Sequence, residues 1–167
     1  MFADQARFGR MNRPRPCWAP VGIWPKVASQ LIREYIYLYG AVTPKDGTCV
    51  YLSMPTSNAA CLQFLDVLSR KFARQDILLV LDGAPNHPSG QLVVPENISL
   101  LFLPPYAPEL NPKENLWDEI REKIFKNYAL KSINHVRQKL HEAILYVEHN
   151  PNVVKSIASF PYIAKSF

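Results

Sequence analysis

The sequence predicts an α/β fold in which a mixed β-sheet is flanked by helices. The first third of the chain contains strand-like segments joined by a tight turn, which indicates antiparallel pairing. The remainder alternates short apolar segments with amphipathic helical segments, which is typical of buried strands covered by helices. A chain of 167 residues can bury a full core, and we expect residues 1–167 to form a single domain.

Five segments have the composition of strands. They are the region around Asp4 and residues 32–42, 49–54, 77–81 and 98–103. The first is predicted to lead into a turn near Gly9. The second carries aromatic and β-branched side chains in near alternation, and a Pro-Lys-Asp-Gly turn joins it to the third. The last two are almost wholly apolar, which predicts strands buried on both faces.

Three segments have helical spacing: residues 58–73, 112–125 and 133–147. The predicted apolar stripes are Leu62, Leu65, Leu68 and Phe72 in the first helix, and Leu116, Trp117, Ile120 and Ile124 in the second. Ser132 is the expected cap of the third helix, and a short helix or irregular segment follows Pro151. We expect the Asp4 strand near the middle of the sheet, beside the strand that ends at Asp82.

Composition excludes several classes of protein. Apolar residues make up 48% of the chain and charged residues 20%, which describes a globular protein. No apolar run approaches the roughly 20 residues of a membrane span, and no signal peptide is visible, so we expect a cytoplasmic protein without a membrane partner. The three cysteines lack paired spacing and the histidines lack an HExxH pattern, which argues against a zinc site.

The net charge of +5 is concentrated near the amino terminus. Within residues 1–26, Asp4 is the single acid, and the basic residues are Arg7, Arg10, Arg13, Arg15 and Lys26. Such a segment could attract the phosphates of a nucleic acid. It could equally be a solvated basic loop, and the charge pattern alone does not separate these interpretations.

Three carboxylates lie on separate predicted elements. Asp82 closes an apolar strand, Glu114 lies in the first turn of a helix, and Asp4 lies in the first strand. Each has a structural alternative: Asp82 could belong to an Asp-Gly turn, Glu114 could complete a capping box with Asn111, and Asp4 could be solvated. Asp118, one turn beyond Glu114, is the best rival ligand.

Carboxylates that converge must be protonated or neutralised by cations. Two of them about 4 Å apart repel by about 4 kcal/mol at an effective dielectric constant of 20. A ligand set of carboxylate oxygens favours Mg²⁺ or Mn²⁺ over zinc. Two such ions would suit in-line attack on a phosphodiester, with Asp4, Asp82 and Glu114 as the metal ligands and catalytic residues.

Several segments together resemble a known family. They are FADQARFGR, CWAPVGIWPKV, YLYGAV, LVLDGAPNH and LLFLPPYAPELNPKENLWDEIRE. They resemble the catalytic domain of insertion-sequence transposases of the IS630 group, within the Tc1/mariner superfamily of DDE transposases. The resemblance implies an RNase H-like fold with a five-stranded mixed sheet flanked by helices, and it assigns the acidic triad to Asp4, Asp82 and Glu114.

The resemblance also implies a function. It implies cleavage of double-stranded DNA at transposon ends and strand transfer into a TA target, with two divalent ions and a homodimer that pairs the ends. Asn86 and His87 match a polar pair near the site, and together with the basic residues of the amino-terminal segment we expect them to contact DNA.

Two features depart from the family pattern. Gln5 stands where a second acid is frequent, which we expect to modulate activity at most. The helix-turn-helix region that reads transposon ends is expected to be absent from this chain. Two alternatives therefore stay open: a catalytically inactive remnant that binds DNA or a partner subunit, and an RNase H-like nuclease acting on hybrid or branched nucleic acid.

Overall fold

The computed structural model describes residues 1–12, 14–55, 60–82 and 93–164. Five strands form one mixed sheet in the order β3-β2-β1-β4-β5. The strands are β1 Phe2–Met11, β2 Leu31–Val42, β3 Cys49–Met54, β4 Ile77–Leu81 and β5 Ile98–Phe102. The first three pair antiparallel, whereas β4 pairs parallel to both β1 and β5. The predicted α/β class, the mixed sheet and the central position of β1 beside β4 are confirmed.

Helices cover both faces of the sheet. They are α1 Ala60–Lys71, α2 Pro112–Ile120, α3 Ile133–His149, α4 Pro151–Ala158 and α5 Pro161–Ala164. A π-helical turn, Arg121–Phe125, continues α2, so the predicted extent of that helix is confirmed. Ser132 caps α3 as expected, because its hydroxyl accepts a hydrogen bond from the His135 amide.

Side-chain alternation along β1 assigns its residues to two cores. Phe2, Ala6 and Phe8 belong to the core beneath α2, α3 and α4, whereas Ala3 belongs to the core beneath α1. Because successive side chains of a strand point to opposite faces, Asp4 shares the α2 face with Phe2 and Ala6. The same alternation directs Gln5 to the α1 face, where it is exposed, so this residue lies away from Asp4.

Three details of the sequence prediction are wrong. The expected turn near Gly9 does not form, because β1 remains paired with β2 as far as Met11. Leu62 is 37% exposed, and the buried stripe of α1 runs through Phe64 instead. The strands β4 and β5 are not buried on both faces, since Leu78 is 52% exposed and Leu101 is 50% exposed, because α2 and α3 contact β1 and β2 rather than this side of the sheet.

Within the described ranges, no helix combines the length and the apolar character needed to cross a bilayer.

Candidate metal centre

Strand register brings the two aspartates to the same level of the sheet. Phe2 on β1 is paired with Val80 on β4 in parallel, and each aspartate lies two residues further along its strand. A two-residue step returns a side chain to the same face, so Asp4 and Asp82 both point toward α2. Asp82 directly follows the carboxyl end of β4, a position where ligands collect in open α/β sheets.

Glu114 completes the cluster from the first turn of α2. One carboxylate oxygen from each of Asp4, Asp82 and Glu114 lies within 4.8 Å of the other two, and all three residues are partly buried. This is the single group of three or more potential metal-ligating side chains among the residues that the structure describes. The arrangement could hold a divalent cation through oxygen ligands alone.

Burial and neighbouring negative charge raise the pKa values of Asp4 and Glu114. The pKa of Asp4 is raised to about 6, chiefly by burial and also by the neighbouring charges of Glu114 and Asp82, against the opposing effect of hydrogen bonds from the Gln5 amide and the Trp117 indole. Burial likewise raises the pKa of Glu114, although Arg121 opposes this shift. A cation between the carboxylates would remove the repulsion that raises both values.

Asn111 links the beginning of α2 to both aspartate strands. Its side-chain oxygen accepts a hydrogen bond from the Lys113 amide at 3.1 Å and so caps the helix. Its side-chain nitrogen donates to the Ala3 carbonyl at 3.1 Å and to Asp82 Oδ1 at 3.3 Å. The Asn111 amide donates to the Pro108 carbonyl, so Glu114 does not complete a capping box and its carboxylate is directed to the aspartates.

Trp117 contacts Asp4, another member of the carboxylate cluster. Its indole Nε1 donates a hydrogen bond to Asp4 Oδ2 at 2.7 Å, and the side chain is fully buried.

The Nζ atom of the fully buried Lys113 lies 4.3 Å from the Trp117 ring centroid and 3.9 Å from that of Tyr51. Burial lowers the pKa of Lys113 to about 8, and its Nζ has no hydrogen-bond partner among the described residues.

Asp118, the rival ligand, lies outside the cluster. Its side chain is 67% exposed and forms ion pairs with Arg15 at 3.7 Å and Arg121 at 3.5 Å. The structure thus brings Glu114 rather than Asp118 to the two aspartates.

The basic residues proposed for DNA contact lie in different surroundings. Arg10 is held within the fold, donating to the Leu130 carbonyl at 2.9 Å and to Glu34 at 2.8 Å. Arg7 stacks on Tyr35 at 4.7 Å, and alternation along β1 directs it to the face opposite Asp4. Arg15 and Lys26 are exposed on the β1–β2 connection. Arg13, Asn86 and His87 lie outside the described residues.

Sequence reasoning missed three residues that contact or adjoin the cluster. The sequence indicates only a helix cap at Asn111 and only an apolar stripe at Trp117, and it assigns no role to Lys113. One signal was available for Trp117: a buried indole N–H needs an acceptor, and Trp117 lies three residues from an acid already assigned to the site. Nothing in the sequence indicates that Lys113 is buried.

Comparison with known proteins identifies the class. A family profile described as DDE superfamily endonuclease matches residues 1–137, and the chain belongs to that family. The expected identification as a DDE-type domain is therefore confirmed. An uncharacterized protein of Sinorhizobium fredii, y4pE/y4sA, is 39% identical over 101 residues, which cover 56% of this chain and 75% of the relative.

Solved structures of Mos1 transposase share the fold. Its paired-end complex with the left transposon end matches with a TM-score of 0.58 and 17% identity. Mos1 paired-end complexes with Mn and with Mg match with TM-scores of 0.57 and 0.55, at 17% and 18% identity. Each match covers 95% of this chain but 55% of the Mos1 chain, so this chain spans about half the length of that protein. The RNase H-like arrangement is thereby confirmed.

Proposed function

We propose that this chain is the catalytic domain of a transposase of the IS630 group, which cleaves double-stranded DNA and transfers strands into a TA target. The observation that carries the proposal is the convergence of Asp4, Asp82 and Glu114 from three separate elements to within 4.8 Å. Membership of the DDE superfamily endonuclease family and the fold shared with Mos1 transposase support it.

The proposal includes two Mg²⁺ or Mn²⁺ ions as cofactors. The site fits such ions because it offers carboxylate oxygens in a partly buried position, where uncompensated negative charge is costly. Asp4 and Asp82 would share both ions, and Glu114 would hold one of them. When bound, such ions activate a water or a 3′-hydroxyl and stabilise the leaving oxygen. Mos1 complexes with Mn and with Mg are consistent with this choice.

Double-stranded DNA is the proposed partner, with two copies of the chain acting as a homodimer on paired transposon ends. The Mos1 complex with a transposon end supports the DNA part of this proposal. On this chain, Lys26 is the basic residue best placed to meet phosphates, because it is exposed on the connection that follows β1, whereas Arg15 on the same connection forms ion pairs with Asp118 and Glu122. Arg10 has a sufficient structural role in its bonds to Leu130 and Glu34.

Nicking of supercoiled DNA tests the proposal. The wild-type chain should nick in Mg²⁺ or Mn²⁺ and be inactive in EDTA. Asp82→Asn should lose more than the ~100-fold that is usual for residues that only support a metal ligand. Asp118→Asn is the matched control, because it removes a carboxylate from the same helix outside the cluster, and it should retain activity.

Other outcomes would favour the alternatives. Equal nicking by the wild type and Asp82→Asn would remove the triad from the mechanism. Salt-sensitive DNA binding without nicking, unchanged by metal or by Asp82→Asn, would indicate an inactive DNA-binding remnant. Cleavage restricted to RNA–DNA hybrids or branched junctions would indicate an RNase H-like nuclease.

A further inference from the structure

We infer that Trp117 and Asn111 are positioning residues that each fix one oxygen of an aspartate, so that the remaining carboxylate oxygens are directed to the cations. The inference rests on the proposed function, because it concerns the same metal centre. It assigns roles to two side chains that do not themselves belong to the carboxylate cluster. Both lie at or in α2, the helix that also carries Glu114.

The bond from Trp117 to Asp4 fixes the orientation of that carboxylate. An N–H···O⁻ distance of 2.7 Å is at the short end for a charge-assisted hydrogen bond. Indole nitrogen is a donor only, so the bond has one possible direction. The Gln5 amide donates to the same carboxylate, so two donors of the protein set the direction in which Asp4 presents its oxygens to an ion.

The indole itself has little freedom to turn. Phe8 and Tyr51 approach its ring edge-on, with centroids 6.1 Å and 6.0 Å away at interplanar angles of 70° and 60°. Lys113 Nζ lies over the same ring at 4.3 Å. The ring is fully buried, so its N–H direction, and with it the plane of the Asp4 carboxylate, is set by packing.

Asn111 acts in a corresponding way on Asp82. Its side-chain oxygen is engaged by the Lys113 amide, which assigns the other terminal atom as the NH₂ group. That group donates both to the Ala3 carbonyl, on the backbone next to Asp4, and to Asp82 Oδ1. Asn111 is 1% exposed, so water does not readily replace these bonds. One side chain therefore joins β1, the end of β4 and the first turn of α2.

Binding of Mn²⁺, followed by electron paramagnetic resonance of the free ion, tests the inference without relying on activity. Trp117→Phe keeps a buried ring and removes the donor, whereas Asn111→Ser keeps a capping oxygen and removes the amide donors. Each should weaken Mn²⁺ affinity roughly 10- to 100-fold, as is usual for partners of metal ligands. The measurements are made at low temperature, and circular dichroism checks the folding of each variant.

Three control variants separate positioning from stability. Trp24→Phe makes the same change at an 88%-exposed site, and Asn150→Ser changes the asparagine that precedes α4. Ile120→Val shortens a fully buried side chain on the same helix as Trp117. Ile120→Val should lower the thermal stability, and all three variants should bind Mn²⁺ with the affinity of the wild type.

A second readout uses the metal-free protein, which contains three tryptophans. The Trp117 indole proton should exchange slowly with solvent in the wild type and rapidly in Asp4→Ala. The indole protons of the exposed Trp18 and Trp24 should exchange rapidly in both proteins.

The possible outcomes distinguish the inference from the proposed function. If Trp117→Phe and Asn111→Ser are folded and bind Mn²⁺ within twofold of the wild type, the inference is wrong and the proposed metal centre stands. Equal exchange of the Trp117 indole proton in the wild type and Asp4→Ala would also overturn it. If the wild type itself does not bind Mn²⁺, the proposed function fails and the inference fails with it.

Discussion

Gly40 lies directly across the β1–β2 pairing from Asp4, and the absence of its side chain leaves room for Trp117. A Cβ atom at Gly40 would lie 2.8 Å from Cη2 of Trp117 and 2.7 Å from Nζ of Lys113. Both distances are shorter than contacts that real Cβ atoms make. The residue opposite Asp4 therefore decides whether the indole that binds Asp4 can enter the core.

Gly40→Ala should accordingly disturb the cluster from the opposite strand. Overpacking of a well-filled core typically costs about 1–3 kcal/mol of unfolding free energy, and the Trp117 ring must move because buried neighbours surround it. Urea unfolding measures this cost, and Mn²⁺ titration should show weaker binding. Wild-type values in both experiments would show that the close approach of Gly40 and Trp117 has no consequence.

The metal-free protein should lose stability as the pH rises through the range in which Asp4 ionises. The pKa of Asp4 is raised from 3.8 to about 6 in the folded state, so the folded protein holds a proton that the unfolded chain has released. The contribution of Asp4 to the free energy of unfolding therefore falls between about pH 4 and pH 6, by on the order of 1–3 kcal/mol.

Denaturant unfolding in EDTA across pH 4–7.5 measures this effect. The difference between the wild type and Asp4→Asn isolates the contribution of the one carboxyl group, because the asparagine does not titrate. Parallel stability curves for the two proteins would contradict the assignment of the raised pKa to Asp4.

Divalent cations should stabilise the protein at pH 7.5 and much less at pH 5. A ligand that binds only the folded state at 100 times its dissociation constant contributes about 2.7 kcal/mol. Protons compete for Asp4 and Glu114 at the lower pH, since both pKa values are raised. Thermal melts with Mg²⁺ or EDTA check this, with Asp118→Asn as a control that keeps the response. If Mg²⁺ still stabilises the Asp82→Asn variant, the ion binds at another site.

Lys113→Met should be neutral or stabilising at pH 7.5. The ammonium group is fully buried without a hydrogen-bond acceptor among the described residues, and replacing a buried charge by an apolar side chain of similar size is often favourable. The folded-state pKa of Lys113 is lowered from 10.5 to about 8, so wild-type stability from this group rises with pH between these values.

Unfolding free energies at pH 7.5 and pH 10 test this prediction. The advantage of Lys113→Met over the wild type should shrink at the higher pH, by up to about 3 kcal/mol. Marked destabilisation at pH 7.5 would instead show that the contacts of Nζ with Tyr51 and Trp117 outweigh the cost of burial.

The sequence was sufficient to predict most of the strands and helices from local pattern, and the family resemblance was sufficient to predict which three acids lie together. It was not sufficient for contacts that depend on how elements pack. The burial of Lys113 depends on Gly40, which is 73 positions away in the chain, and the exposure of Leu78 depends on which strands α2 covers. Local sequence patterns do not show which residues come into contact when they are far apart in the chain. Asn111 and Trp117 could therefore be assigned structural roles only.

Anomalous scattering from crystals grown or soaked with Mn²⁺ would show whether the three carboxylates hold a metal ion. We expect manganese between β1, β4 and α2, bound by carboxylate oxygens of Asp4, Asp82 and Glu114, with Asp4 Oδ2 still bonded to Trp117. No anomalous signal at this cluster under saturating Mn²⁺, or manganese bound by other side chains with these three carboxylates apart, would contradict it.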